Sequence, residues 1–552
     1  MLLIVGPLVT LVITPWISYD PINIPKMAVL TICSAIVLAL ALLDFKLFFE
    51  LRYRTIVLIS GLFGLDLLIV LLVSHSPFSD HFFGTFGRNT GFLTYFSLLL
   101  LFTTSAMSFE VRSSEKLLWA LLGTGGVSSL YGLLQITGHD PFKWVNQYSP
   151  VIGFLGNPDF QSSFLGMCAV GVAALLLRRS SSWKIRGSLG IYLIFLLYVI
   201  EKTKAQQGFL VLLIGSALIL FIFVSKNARL KILRLPYVVL SILAAVLVFA
   251  GSFNKGPLAH YLYKASVTYR GDYWHAGWKM TLQHPLTGVG LDSYGNWYRA
   301  SRTVAATLRR GPDMVINAAH NVLLDFSSNG GFPFLIAYLL IVGLALISAI
   351  RVVRRSDHFD AVHAGLFGAW AAYQAQSIIS LNQLGLAVWG WIFSGALIAY
   401  EISTRSIDEG MLGSRVQGKP RKSGKVKVQG SSPAVSVAIF VGFIIGLAFG
   451  LPPYLADSTF RSSLSSGSAA VLKSAATRWP IDSFRLIQAG LIMKNSKLDS
   501  QALSLAKLEA RRDSRSFDAW REISTNKGST PAEKSAALHQ MKILDPYNPN
   551  LK

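Results

Sequence analysis

Between residues 269 and 331 the chain gathers side chains that handle protons and anions. Tyr269-Arg270-Gly271-Asp272-Tyr273-Trp274-His275 leads to Trp278, and His284-Pro285-Leu286-Thr287-Gly288-Val289-Gly290 follows. Arg309 and Arg310 come next, and the stretch closes with Ala319-His320-Asn321, Asp325 and Gly330-Gly331. Imidazole titrates near neutral pH and guanidinium offers paired donors to phosphate oxygens, so these residue types suit proton transfer beside an anionic group. No metal site is expected. His275, His284 and His320 match no helical pair, few carboxylates lie near them, and Cys33 and Cys168 both sit in apolar stretches. Gly288-Val289-Gly290 follows a proline turn rather than a strand, and no Gly-x-Ser-x-Gly is present, so neither a phosphate loop nor a hydrolase elbow is expected.

Each of these residues also has a plain structural role open to it. His320 could anchor the next helix at an interface. Arg270, with Tyr269, Tyr273 and Trp274, could belong to an aromatic belt. Arg309 and Arg310 could be a solvated pair, and Asn157 and Asp159, in Gly156-Asn157-Pro158-Asp159, could simply begin a helix.

The elements that must position these groups are membrane helices. Of 552 residues 52% are hydrophobic and 14% charged, with a mean hydropathy of +0.49; soluble domains average roughly 25% charged. Apolar blocks long enough to cross a hydrocarbon core lie near 2–18, 26–43, 56–73, 91–107, 117–136, 160–177, 189–201, 207–224, 235–251, 331–350, 361–380, 385–400 and 434–451. The expectation is an all-α polytopic protein of about 13 transmembrane helices. The first block has no basic leader or small-residue cleavage site, so it reads as an uncleaved span.

The net charge of +23 is distributed as a topology signal rather than as a nucleic-acid patch. Alternate short loops carry Lys46, Arg52 and Arg54; Arg112 and Lys116; Arg178, Arg179, Lys184 and Arg186; Lys226, Arg229, Lys231 and Arg234; Arg351, Arg354 and Arg355; and a run through Arg415, Lys419, Arg421, Lys422, Lys425 and Lys427. The opposite short loops hold only Lys26, Arg88, Lys143, Lys202 and Lys204. The positive-inside rule then puts the N-terminus and the basic linker 401–433 in the cytoplasm, and the loop 252–330 and tail 452–552 outside. The linker reads as an anchor that touches anionic lipid. A turn-rich outer segment, His75–Asn89, stands apart from the spans.

The chain divides into a membrane domain, 1–451, and a polar, helix-patterned tail, 452–552. In the tail Trp479-Pro480-Ile481-Asp482, Ser516-Phe517-Asp518-Ala519-Trp520 and Leu544-Asp545-Pro546-Tyr547-Asn548-Pro549 recur at intervals of roughly 30 residues. The spacing resembles tetratricopeptide helix pairs and reads as a module for a protein partner.

Arg-(x)3-Trp at Arg270–Trp274, Pro-Leu-x-Gly-x-Gly at 285–290 and His320-Asn321 followed after nine residues by Gly331 together resemble the O-antigen ligase and polymerase superfamily. The likeness spans most of 56–400 and is strongest over 269–334. It implies transfer of a glycan from an undecaprenyl-diphosphate carrier to an acceptor hydroxyl of a glycan, lipid or protein on the outer face, with no cofactor and no metal. It further implies His320 as general base and Arg270 as the diphosphate ligand. Arg309, Arg310, Asn157, Asp159 and Asn321 are expected near the substrate. Lys204 stands in Thr203-Lys204-Ala205-Gln206-Gln207-Gly208, where many members have an arginine, and can supply charge but not a bidentate fork. Phe334 stands where the family has a second glycine. Two other functions stay open: a polymerase of lipid-linked repeat units, and a lipid-linked glycan transporter. Against the transporter, the long loop occurs only once, with no half-to-half match.

Overall fold

The computed structural model describes residues 1–74, 76–144, 149–262, 265–417 and 433–551. His75 and the linker lysines and arginines at 419–427 lie outside the described residues. Every regular element among the described residues is helical. Among the described residues ten helices are long and apolar enough to cross a membrane, and Leu2–Leu11 and Phe92–Ser108 are shorter apolar helices. Ala361–Ile379 has the length but also carries His363, Gln374 and Gln376. Each apolar block of the sequence overlaps one of these helices. The protein is an all-α polytopic membrane protein.

The helices sort by what covers them. Arg54–Val73 buries Ile56, Ile59, Phe63, Leu67 and Val70, three or four residues apart, and leaves Leu58, Leu62, Leu65 and Leu72 exposed. A helix apolar all round, with one stripe on the core, presents its other face to lipid. Leu384–Arg405 is buried along its apolar length, whereas Arg234–Ser252 buries only Gly251 and lies at the periphery.

Several boundaries differ from the sequence reading: the block 2–18 is helical only over Leu2–Leu11, and Leu384–Gln417 runs on into the expected linker. The span placed at 331–350 begins earlier, because the helix Val322–Arg355 runs through Gly331 with a kink there. The last span does not end at Leu451 either. Pro433–Ser463 continues through Pro452 and Pro453, so the membrane domain and the tail share one helix. The long loop is also mostly structured, with the helices Ala265–Gln283, Tyr294–Ser301 and Val304–Arg310. These enclose a small core of their own, built on Tyr273, Ala276, Met280, Val289, Tyr294, Tyr298 and Ala319.

The tail forms five helices: Ala469–Ala476, Ser483–Asn495, Asp499–Arg512, Phe517–Thr525 and Pro531–Leu544. It docks on the loop rather than standing apart. Asp545 binds Arg302 at 2.7 Å and Arg299 at 3.1 Å, all three side chains being nearly inaccessible. Arg512 holds Asp80 at 2.9 Å, and Phe484 stacks on Phe86 with centroids 3.9 Å apart. Loop and tail therefore lie on the same side of the helix bundle.

Candidate functional site

The site is organised by a broken helix. Gly331 has φ 76°, a left-handed backbone inside an otherwise α-helical run, and a Cβ there would meet the Leu286 carbonyl carbon at 2.5 Å. The break ends the hydrogen-bond ladder early, and the freed carbonyls need donors. Val289 N–H donates to Ser328 at 2.8 Å, Gly290 N–H to Asn329 at 3.0 Å, and Phe332 N–H to Pro285 at 2.8 Å. Gly288, φ 60°, passes so close that a Cβ would lie 2.4 Å from the Gly330 nitrogen. The spacing of nine residues between His320-Asn321 and Gly331 is thus the length of one half-helix, Val322 to Gly330. The Pro-Leu-x-Gly-x-Gly stretch is the strand of backbone that satisfies its end.

At the other end of that half-helix, Asn321 is the N-cap: its Oδ1 accepts from Leu324 N–H at 3.1 Å. His320, just before it, sits at φ 52°. A left-handed non-glycine residue is uncommon, costs on the order of 1 kcal/mol, and persists where its surroundings over-determine it. Here they do. Asp325 in the first turn accepts from Ala319 N–H at 2.8 Å, and Arg88 donates to the Asn317 carbonyl. Arg88 is buried, lies 3.1 Å from Asp292 and 3.8 Å from Asp325, and Asp292 also accepts from Thr85 and Thr90. Arg299 and Arg302 grip the carbonyls of Pro312 and Met314 further upstream. The irregular segment leading to His320 is held by three arginines and a carboxylate.

The His320 ring lies 5.6 Å from Tyr273, centroid to centroid. Burial, then the positive charges of Arg270, Arg88 and Arg310, push its pKa down from 6.5 to about 4, so the imidazole is neutral at neutral pH. Arg310 donates to the Tyr273 hydroxyl and lies over the Tyr269 ring at 4.6 Å. Arg270, half-buried on Ala265–Gln283, stands in the field of Asp159 and Tyr273.

The other expected residues separate. Asp159, at the start of the helix Pro158–Leu176, joins the group through Arg270, while Asn157 caps that helix, accepting from Asp159 N–H at 2.8 Å. Arg309 pairs with Asp272 at 2.6 Å and is turned to solvent. Lys204 is exposed at the turn between Trp183–Lys202 and Gln207–Lys226, with φ 58°. Phe334 is buried against Phe63 and Phe326, centroids 4.8 and 4.9 Å away, and fills the core where a glycine would leave a gap. His275 is exposed and His284 packs edge-on to Trp297.

Two positions carry more than their sequence context suggested. Arg88 read only as one of the few basic residues of the outer loops; the turn-rich Gly84-Thr85-Phe86-Gly87-Arg88-Asn89 was its one signal. His81 pins the glycine motif, lying 2.7 Å from the Leu291 carbonyl and 2.5 Å from Ser74 Oγ.

No curated protein matches this chain. A family model described as O-Antigen ligase matches residues 191–339, which hold Lys204, Arg270, Arg310, His320 and the Gly331 break but neither Asp159 nor Arg88. Over that stretch the chain is similar to the O-antigen ligase family, which supports a membrane protein of a glycan-processing class.

Proposed function

We propose that this chain transfers a glycan from an undecaprenyl-diphosphate carrier to an acceptor hydroxyl at the outer face of the cytoplasmic membrane, without a metal. The observation that carries the reading is a neutral His320 held in a strained corner and faced by Arg270 and Arg310. His320 takes the acceptor hydroxyl's proton as its oxygen attacks the anomeric carbon. The bond from that carbon to the diphosphate oxygen breaks, and the electron pair leaves with the diphosphate. Arg270 and Arg310 stabilise the charge that develops there. Trp278, Leu282 and Leu286 expose an apolar face along the helix Ala265–Gln283 and the turn after it, which suits a polyprenyl tail entering from lipid. Asp159 orients Arg270.

The test is transfer from purified undecaprenyl-diphosphate-linked glycan in detergent with EDTA, comparing the wild type with His320→Ala. We expect transfer by the wild type and a loss of 10²-fold or more in the variant, in the range for removing a general base. Undiminished transfer by His320→Ala ends the base assignment. The product's size separates a ligase from a polymerase, and donor binding with no transfer by either protein points to a transporter.

A further inference from the structure

The seam between loop and tail encloses a cleft of about 480 Å³, within the range of small-molecule sites. Asn317 and Phe86 line it from the membrane domain and Phe484, Gln488, Arg515 and Phe517 from the tail. It is coupled to the framework of His320. Arg88 bonds both the Asn317 carbonyl and Asp292, another lining residue, and Asn317 precedes His320 by three residues.

Its charge balance is unlike that around His320. Each ionised group on its walls except Arg515 is in an ion pair. Asp80 has Arg512 at 2.9 Å, Asp292 has Arg88 at 3.1 Å, Asp518 has Arg521 at 2.7 Å and Asp482 has Arg485 at 3.9 Å. Arg299 has Asp545 at 3.1 Å, and Arg515 lies over Trp297 at 3.4 Å in the field of Asp513. Apart from Arg515, whose guanidinium is stacked on Trp297, what the cleft offers is therefore uncharged. The amides of Asn317 and Gln488 make no side-chain hydrogen bond among the described residues, and each presents a donor and an acceptor together. Phenylalanine rings stand beside them. Donor–acceptor pairs next to apolar rings match the vicinal hydroxyls and C–H faces of a pyranose. The buried ion pairs hold the walls in place beforehand, which reduces the ordering cost of binding.

We propose that this seam binds an uncharged saccharide of the acceptor, so that the cations beside His320 take the anionic donor and the tail helps take the acceptor. This rests on the glycan-transfer reading. The test uses the purified full-length chain and oligosaccharides released from the host envelope by mild acid, separated into neutral and acidic fractions. Calorimetric titration should show the neutral fraction binding and the acidic fraction binding less. Asn317→Ala with Gln488→Ala should weaken binding about tenfold, as expected for losing two modest hydrogen bonds. The acceptor KM should rise by a similar factor while kcat and the donor KM stay put. Ser516→Trp, which adds bulk to the same cleft, should abolish binding in a chain that still elutes as a single species.

Preferential binding of the acidic fraction, binding of neither fraction, or unchanged binding in all these variants would overturn the seam. The two readings fail separately. If the neutral fraction binds and the variants lose it, yet no glycan is transferred, the seam stands and the transfer reading falls. Transfer with variant-independent binding gives the reverse.

Discussion

At the scale of the residue, the neutral state of His320 has a kinetic consequence. In the free protein burial and three arginines hold its pKa at about 4, so as the proposed base it is available across ordinary pH but intrinsically weak. On the proposed reading, an anionic diphosphate bound beside Arg270 and Arg310 would offset part of that positive field and move the pKa back toward 6.5. The acid limb of kcat, which reports the bound complex, is therefore expected at higher pH than the limb of kcat/KM, which reports the free protein. Arg310→Gln removes one positive charge and should shift the kcat/KM limb upward. A downward or absent shift in pH–rate profiles would show that Arg310 does not act on His320. The sign for stability runs the same way. The unfolded chain protonates this histidine near 6.5 and the folded chain only near 4, so acid below the ordinary value favours unfolding, and this contribution is fully present above it.

At the scale of the element, the break at Gly331 is what places the half-helix Val322 to Gly330 and so the corner before it. Gly331→Ala would force a Cβ to within 2.5 Å of the Leu286 carbonyl carbon and a side chain into φ 76°. A cost of about 2–3 kcal/mol is expected from overpacking and the left-handed backbone, read as a lowered midpoint in thermal unfolding. Gly343→Ala, in the same helix with open space around it, is the control and should change little. Equal effects would mean that the kink is not a packing requirement.

At the scale of the whole molecule, the tail is a structural partner of the loop. Asp545 is the carboxylate that meets both Arg299 and Arg302, and Arg302 is 1% exposed. Asp545→Ala leaves two cations buried without that charge, which costs about 3–5 kcal/mol by analogy with other broken buried pairs. Because those arginines also hold Pro312 and Met314, the segment before His320 should loosen with it. Faster hydrogen exchange over residues 312–320 in the variant would register that. Topology has its own check, since Cys33 and Cys168 are buried and give little background. An impermeant maleimide on intact cells should label Leu308→Cys and Ser514→Cys and leave Lys184→Cys unlabelled. Labelling of positions 308 and 514 from opposite sides would contradict the docked tail.

The membrane helices were legible from the sequence because the bilayer imposes a length and an apolarity on each span, and both are local properties. Their helices appear where the apolar blocks stand, from 23–42 to 433–463. The charged segment 269–331 was legible too, since polar groups crowded at an apolar boundary need a reason. What local pattern could not supply was pairing at a distance. Arg88 meets Asp292 and Asp325 across more than two hundred residues, and Arg302 meets Asp545 across 243. A buried ion pair leaves no periodicity behind, so Arg88 looked like a stray outer-loop cation and Asp545 like part of a repeat. Likewise the sequence held the His-Asn-(x)9-Gly spacing, but only tertiary contact explained it. The half-helix must end where Pro285–Gly290 can take its free carbonyls, and His320 is strained because the opposite end is clamped.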